Sequence, residues 1–378
     1  MKLIAQVKLQ PTKEQANALK RTLGLANEAC NYLSERAWET KILGQYALHR
    51  LAYHDTRKRF PAVSSQIVVR CIARVADAYK LDRKAKRAFK PLSAIPYDER
   101  ILRWYTDRQV ISIWAVDGRI KNLSYLCGER QRQLLKFQQG QSDLILRHGE
   151  FYLHAVCNVE EPDPIEPEGI LGIDLGIVNL ATDSDGESYS GEAIERNRRI
   201  LAHRRRNLQR KGTKSAKRKL KQISGKQANF QRNTNHTISK RLVQKAQDTN
   251  RAIAVENLTG IRQRTTFRRK QRARHANWSF YQLEAFLAYK CQLVGVRLIE
   301  VDPRNTSCTC PVCGCIDKAN RRTQAQFSCT SCGYSANADV NAARNISWRG
   351  QCQLAKRSDD QGLGSCVRDK LPALAGNS

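Results

Sequence analysis

The chain has 378 residues, 41% hydrophobic and 27% charged, enough for a folded protein of two or three domains. Lysine and arginine number 66 against 35 acids, a net charge of +31 that points to a polyanionic partner, foremost nucleic acid. No apolar run nears the ~18 residues of a membrane span and no basic-then-apolar leader opens the chain, so neither membrane insertion nor export is expected.

Residues 2–9 place Leu3, Ala5, Val7 and Leu9 on one face, the alternation of a half-buried strand. Pro11 ends it. Thr12 with Gln15 forms a capping-box pattern, and Ala16, Leu19, Leu23 and Ala26 follow at helical spacing. Helical pattern continues to about residue 90, with Ile67, Cys71, Val75 and Ala78 as one stripe. From about residue 109 strands return, with hairpin turns at Asp117-Gly118 and His148-Gly149. The acidic, proline-rich stretch 160–168 reads as a linker and domain boundary.

Next comes Ile170-Leu171-Gly172-Ile173-Asp174-Leu175-Gly176, an apolar strand whose one charge is Asp174. A carboxylate in a central strand requires compensation for its desolvation, and a bound cation supplies it. The flanking Gly172 and Gly176 are expected to let a phosphate backbone approach. Residues 179–189 read as a strand, tight turn and strand, the opening of an RNase H-like sheet. Between Arg196 and His275 the only acids are Asp248 and Glu256, while Arg204-Arg205-Arg206, Lys217-Arg218-Lys219 and Arg268-Arg269-Lys270 cluster basic charge. A solvated helix face normally mixes signs, so these helices are expected to track phosphates. Trp278, Phe280 and Tyr281 are suited to base stacking, but Leu283, Phe286 and Leu287 behind them at helical spacing favour core packing.

Ala252-Ile253-Ala254-Val255-Glu256 is a second apolar strand ending in one acid, and Asp339 opens the Ala-rich helix that follows Asn337. Singly, Asp174 also suits a turn, Glu256 a solvated strand end and Asp339 a helix N-cap. Together, two strands and a helix can bring three acids to one place. Hard-oxygen ligands of this kind hold a pair of divalent ions, here two Mg2+, about 4 Å apart for phosphodiester hydrolysis.

Between the second and third acids, Cys310-Pro311-Val312-Cys313 and Cys329-Thr330-Ser331-Cys332 are two C-x2-C pairs separated by fifteen residues, with Gly314 and Gly333 after them. The spacing suits a closed, structural four-thiolate site for one Zn2+ ion; an iron–sulfur cluster takes the same ligands, whereas a redox dithiol needs only one pair. Cys308 and Cys315 lie outside that geometry. With thirteen cysteines, an odd number, and four in metal spacing, a reducing, cytoplasmic setting is expected. From Gln351 the chain is polar with weak periodicity and is expected to be disordered or loosely attached.

Gly172-Ile173-Asp174-Leu175-Gly176, Val255-Glu256-Asn257-Leu258, and the cysteine ribbon followed by Asn337 to Ile346 resemble, in this order, the nuclease motifs and zinc domain of the TnpB family, transposon-encoded proteins related to type V CRISPR effectors. The resemblance implies an α/β fold: an RNase H-like (RuvC) nuclease domain over 169–350 with an inserted zinc ribbon at 304–336, and a tail at 351–378. Ahead of it, over 1–168, it implies a β-rich wedge domain (strands in 1–11 and about 92–160) interrupted by a helical recognition domain (about 12–91).

It further implies guidance by RNA from the transposon end, one chain per RNA, and cleavage of double-stranded target DNA beside a short adjacent motif. Asp174, Glu256 and Asp339 would be the catalytic, magnesium-binding acids, and Cys310, Cys313, Cys329 and Cys332 the zinc ligands. An unguided structure-specific nuclease would use the same acids, and a guided DNA-binding regulator would bind without cutting.

Overall fold

The computed structural model describes residues 1–258, 280–323 and 325–359, and the chain divides into two compact units, Met1–Glu160 and Glu161–Ser378. In the first unit, strand β1 (Lys2–Leu9) lies at the centre of a seven-stranded sheet between β7 (Glu150–Asn158) and β5 (Gly118–Leu126). The remaining strands are β2 (Ile95–Tyr97), β3 (Leu102–Tyr105), β4 (Val110–Ala115) and β6 (Gln138–Arg147), in the order β2-β6-β7-β1-β5-β4-β3. One short helix, α4 (Glu129–Leu135), joins β5 to β6.

Three helices, α1 (Lys13–Thr40), α2 (Gln45–Arg59) and α3 (Ser65–Leu81), fall between β1 and β2. The Thr12 hydroxyl accepts from the Gln15 amide at 3.3 Å and the Gln15 side chain accepts from the Thr12 amide at 3.0 Å, completing the capping box. Leu19, Leu23 and Ala26 of α1 and Ile67, Cys71 and Val75 of α3 share one core with Ala5 and Val7 of β1. Tyr79 rather than Ala78 completes the α3 stripe. At one hairpin, His148 (φ 54°) and Gly149 (φ 85°) both adopt the left-handed conformation. At the other, Ala115 pairs with Gly118, so the turn is Val116-Asp117 and only Gly118 has positive φ.

The second unit is built on a five-stranded mixed sheet ordered β10-β9-β8-β11-β12. Strands β8 (Gly169–Asp174), β11 (Arg251–Glu256) and β12 (Leu298–Val301) run parallel; β9 (Asn179–Asp183) and β10 (Ser188–Ser190) extend the sheet antiparallel. Helices α5 (Glu192–Lys211) and α6 (Lys214–Asp248) lie in the connection from β10 to β11, α7 (Phe280–Val294) precedes β12, and α8 (Ala338–Asp359) follows the cysteine ribbon.

Strand alternation gives the sheet two apolar faces. Leu171, Ile173, Ile253 and Val255 pack against Ile238 and Leu242 of α6 and Leu283 and Leu287 of α7. Ile170, Ala252 and Ala254 pack on the other face against Ile346 of α8. Asp174 and Glu256 continue the parity of the α8 face.

Helix α8 rests almost directly on the strands. A Cβ on Gly172 would lie 2.1 Å from the Ala343 carbonyl oxygen and 2.5 Å from the Ser347 amide, and one on Gly350 would lie 2.7 Å from the Ala254 methyl. The Ser347 hydroxyl donates to the Ile170 carbonyl at 2.8 Å. The space beside Gly172 is therefore filled by helix backbone, not left open to a phosphate as its position near Asp174 suggested. Gly172→Ala must push α8 off β8, and it is expected to cost about 2 kcal/mol or more, measurable as a fall in Tm of several degrees.

The two units divide between Glu160 and Glu161, inside the stretch 160–168 expected as a boundary. The segment from Glu161 to Glu168 has no regular structure but is tied into the second unit: the Ile165 amide donates to the Gly295 carbonyl at 2.8 Å and the Glu168 amide to that of Asn250 at 2.9 Å. The tail expected to begin at Gln351 is helical at its start: α8 runs on through Gln351 to Asp359, and Leu354 packs against the core formed by Ile170, Ala252, Ala254 and Ile346. The rest of the anticipated tail lies outside the described residues.

Candidate active site and metal centre

Parallel pairing aligns Ile173 with Val255, so the residues that follow, Asp174 and Glu256, end adjacent strands at the same edge of the sheet. Asp339 stands in the first turn of α8, the helix laid across β8. Its cap is supplied by another residue: the Asn337 side-chain oxygen accepts from the amides of Asp339 at 2.9 Å and Val340 at 3.2 Å. Asp339 is therefore free for another role. The turn role open to Asp174 belongs to Asp183, whose carboxylate accepts from the amides of Asp185 at 3.1 Å and Glu187 at 2.9 Å and pairs with Lys245 at 2.5 Å.

Burial pushes the Asp174 carboxyl up to about 8, with the negative charges of Glu256 and Asp339 adding to the shift and Arg321 opposing it. Burial also raises Glu256, against the Thr306 hydrogen bond and the charges of Arg349 and Arg321. Three acids thus share one partly buried space, held together against their own repulsion.

Their hydrogen bonding differs. No side-chain hydrogen bond reaches the Asp174 carboxylate among the described residues. Glu256 Oε1 accepts from the Thr306 hydroxyl. Asp339 Oδ2 accepts from the Asn179 amide group at 2.9 Å, and its Oδ1 lies 3.6 Å from the Arg321 guanidinium. Each of Glu256 and Asp339 therefore keeps one oxygen without a hydrogen bond, and Asp174 keeps both. A divalent cation with oxygen ligands fits such a set, since it would offset both the burial and the repulsion that raise Asp174.

The ribbon supplies Arg321 and the approach to Thr306. The four sulfurs of Cys310, Cys313, Cys329 and Cys332 lie within 4.8 Å of one another, with Cys310 to Cys332 at 3.6 Å and Cys313 to Cys329 at 3.5 Å. A metal–sulfur bond of about 2.3 Å in a tetrahedron implies sulfurs about 3.8 Å apart, so four thiolates here can hold one metal ion.

The two knuckles match in detail. Gly314 (φ 77°) and Gly333 (φ 75°) take the left-handed conformation, and their amides donate to the carbonyls of Cys310 at 3.0 Å and Cys329 at 3.1 Å. Cys308 and Cys315 stay outside the cluster. Their carbonyls instead accept from the buried Asn320 side chain at 3.0 Å and 3.3 Å, while its oxygen accepts from the Thr330 amide at 2.8 Å and so ties the knuckles together.

On α5 and α6, Arg204, Arg206, Lys217, Arg218 and Lys219 are exposed, and Arg205 bonds Gln227 at 2.8 Å. Left-handed Gly212 (φ 65°) ends α5, and the Thr213 hydroxyl caps α6, turning the pair into a cationic hairpin. The cluster Arg268-Arg269-Lys270, Trp278 and the side chain of Phe280 lie outside the described residues. Leu283 and Leu287 are core residues and Phe286 stacks on His236 with ring centroids 3.8 Å apart, but Tyr281 is 82% exposed.

Thr306, Asn179 and Arg321 were not singled out from the sequence. None is an acid or a cysteine: Thr306 and Arg321 reach the site from loops whose path spacing does not give, and Asn179 from the first position of β9. The cap that the sequence left open to Asp339 lies at Asn337 instead.

A family profile described as "Probable transposase" (OrfB_IS605) matches residues 154–262, and one described as "Cas12f1-like, TNB domain" matches residues 280–346. The CRISPR-associated endodeoxyribonuclease Cas12f1 of Sulfoacidibacillus thermotolerans is 29% identical over 352 residues, covering 81% of this chain and 82% of that protein. The putative RNA-guided DNA endonuclease InsQ of Escherichia coli is 31% identical over 55% of this chain and 56% of its own length. The TnpB-like protein MJ0751 of Methanocaldococcus jannaschii is 30% identical over 53% of this chain and 76% of its own length. Among solved structures, a cryo-EM structure of a Cas12f1–sgRNA–target DNA complex aligns with TM-score 0.61 at 16% identity, covering 89% of this chain and 83% of that one, a likeness of fold. Among the described residues no helix is long and apolar enough to cross a membrane.

Proposed function

The chain belongs to the TnpB-like family, and on that premise we propose that it is a transposon-associated, RNA-guided endonuclease that cuts double-stranded DNA beside a short adjacent motif. The observation that carries this is the meeting of Asp174, Glu256 and Asp339 in one partly buried space, where burial first and the two neighbouring acids second raise the Asp174 carboxyl to about 8. The sheet order, three strands antiparallel and then two parallel neighbours, supports a RuvC-type RNase H-like core. Base pairing with the guide would read the target, while the +31 charge supplies affinity for both nucleic acids without sequence preference.

Asp174, Glu256 and Asp339 would hold two magnesium ions, which when bound supply an activated water and neutralise the leaving oxygen. Asp174, which no side-chain hydrogen bond reaches among the described residues, would offer both its oxygens to metal. Glu256 and Asp339 each offer the oxygen that Thr306 or Asn179 leaves free. Arg321 brings a fixed positive charge to the same space, where charge develops on the transferring phosphate. Cys310, Cys313, Cys329 and Cys332 would hold one structural zinc, keeping the loops that carry Thr306 and Arg321 in place.

The test is to purify the chain from cells that also carry its flanking DNA, sequence the RNA that accompanies it, and challenge the complex with magnesium and a randomised target-flank library. The expected outcome is one discrete RNA species, and cutting only where the target matches its end and a fixed short motif adjoins. Cutting of branched DNA by RNA-free protein would replace this function with an unguided nuclease. Binding of the matched target without cutting would make the protein a regulator.

A further inference from the structure

The loop 302–309 joins β12 to the first cysteine of the ribbon, and it is fastened at both ends of its path. Helix α8 reaches it through two buried asparagines. Asn345 donates to the carbonyls of Thr306 at 2.8 Å and Thr309 at 2.7 Å, and Asn341 donates to that of Thr309 at 3.1 Å. On the strand side, the Asn257 amide donates to the Val301 carbonyl at 2.9 Å, and the Arg349 guanidinium of α8 donates to the Asp302 carbonyl.

Thr306 itself is 3% exposed. Its hydroxyl has one proton and two acceptors in reach, Glu256 Oε1 and the Pro303 carbonyl oxygen at 3.1 Å. An ionised carboxylate is the stronger acceptor, so the proton goes to Glu256.

We propose that Thr306 is a positioning residue: its hydroxyl fixes the rotamer of Glu256 so that Oε2 faces Asp174. This rests on the reading of the three acids as the magnesium site. Through Asn341 and Asn345, α8 sets the loop that orients Glu256, and through its first turn the same helix presents Asp339. Two of the three acids are thereby registered to one rigid element. A glutamate has three rotatable side-chain bonds, and among the described residues the Thr306 hydroxyl makes the one side-chain hydrogen bond that fixes the Glu256 carboxylate plane.

The experiment compares wild type with Thr306→Val, which keeps shape and loses the hydroxyl, and Thr306→Ser, which keeps the hydroxyl. Each is purified with its RNA and assayed for the magnesium concentration at half-maximal cleavage, for target binding without divalent metal, and for Mn2+ affinity by the EPR signal of free manganese. Asp174→Ala serves as the blank for metal held by the RNA.

Thr306→Val is expected to raise the magnesium requirement and weaken site-specific manganese binding by about ten- to a hundredfold, with target binding and Tm near wild type. Thr306→Ser should return both within about threefold. Wild-type metal dependence in Thr306→Val would overturn the proposal, as would a Thr306→Ser protein no better than Thr306→Val. Should wild type bind manganese at this site yet cut no DNA, the endonuclease function fails while the manganese difference still supports the positioning role.

Discussion

Asp174→Asn is expected to abolish DNA cutting, by a factor of about a thousand or more, and yet to make the metal-free protein more stable at neutral pH. The loss follows from removing a carboxylate that no side-chain hydrogen bond engages among the described residues and that would hold metal. The gain follows from the direction of its shift. An unfolded aspartate titrates near ~3.9, whereas Asp174 in the fold is pushed up to about 8 by burial and by Glu256 and Asp339. Its proton is therefore held more tightly in the folded state. That contribution to stability is fully present below pH ~4 and is lost as pH rises through about 8.

Asparagine carries no charge and escapes the loss. In magnesium-free buffer with zinc retained, Asp174→Asn should exceed wild type by roughly 1–3 kcal/mol at pH 8, and the advantage should vanish near pH 4. Calorimetry across that range checks the sign. A variant less stable than wild type at pH 8 would mean that Asp174 is a structural residue.

Cys329→Ser is the second large effect, and it acts at a distance from the acids. The ribbon's own core is Cys310, Phe327, Cys329 and Ala338 with Cys315 and Tyr334 beside them, far too little apolar surface to hold a fold. Its strands, β13 (Gln326–Ser328) and β14 (Ser335–Asn337), pair over three residues. A structural zinc in a four-cysteine site contributes about 10–16 kcal/mol of apparent binding free energy at neutral pH, so a zinc held by these four cysteines would carry the local fold.

Losing one ligand should release it and loosen the segment that carries Arg321 and leads from Thr306. The expected results are one zinc per chain in wild type and far less in Cys329→Ser, rapid proteolysis between residues 310 and 336, and cleavage reduced about a hundredfold or more. Full zinc content and normal cutting in Cys329→Ser would refute the assignment.

Much of this arrangement was legible in the sequence, for physical reasons that can be named. A single acid closing an apolar run is conspicuous because burial makes it costly, and strand parity then puts Asp174 and Glu256 on one face. Ligand spacing made the ribbon equally plain, since only a few loop lengths let four thiolates converge. Gly172 was misread because sequence does not say what fills the space above a glycine, and here it is the backbone of α8. Helix α8 past Gln351 escaped notice because its apolar contacts there are few, Leu354 among polar neighbours. Thr306, Asn179 and Arg321 belong to tertiary contacts between segments far apart in the chain, which no local pattern encodes.

The central claim is that Asp174, Glu256 and Asp339 form one divalent-metal site. Anomalous diffraction from crystals of the protein–RNA complex soaked in manganese tests it most directly. Two peaks about 4 Å apart among these three carboxylates are predicted, both lost in Asp174→Ala. Manganese bound elsewhere, with no density between the three acids in a protein that still cuts DNA, would contradict it.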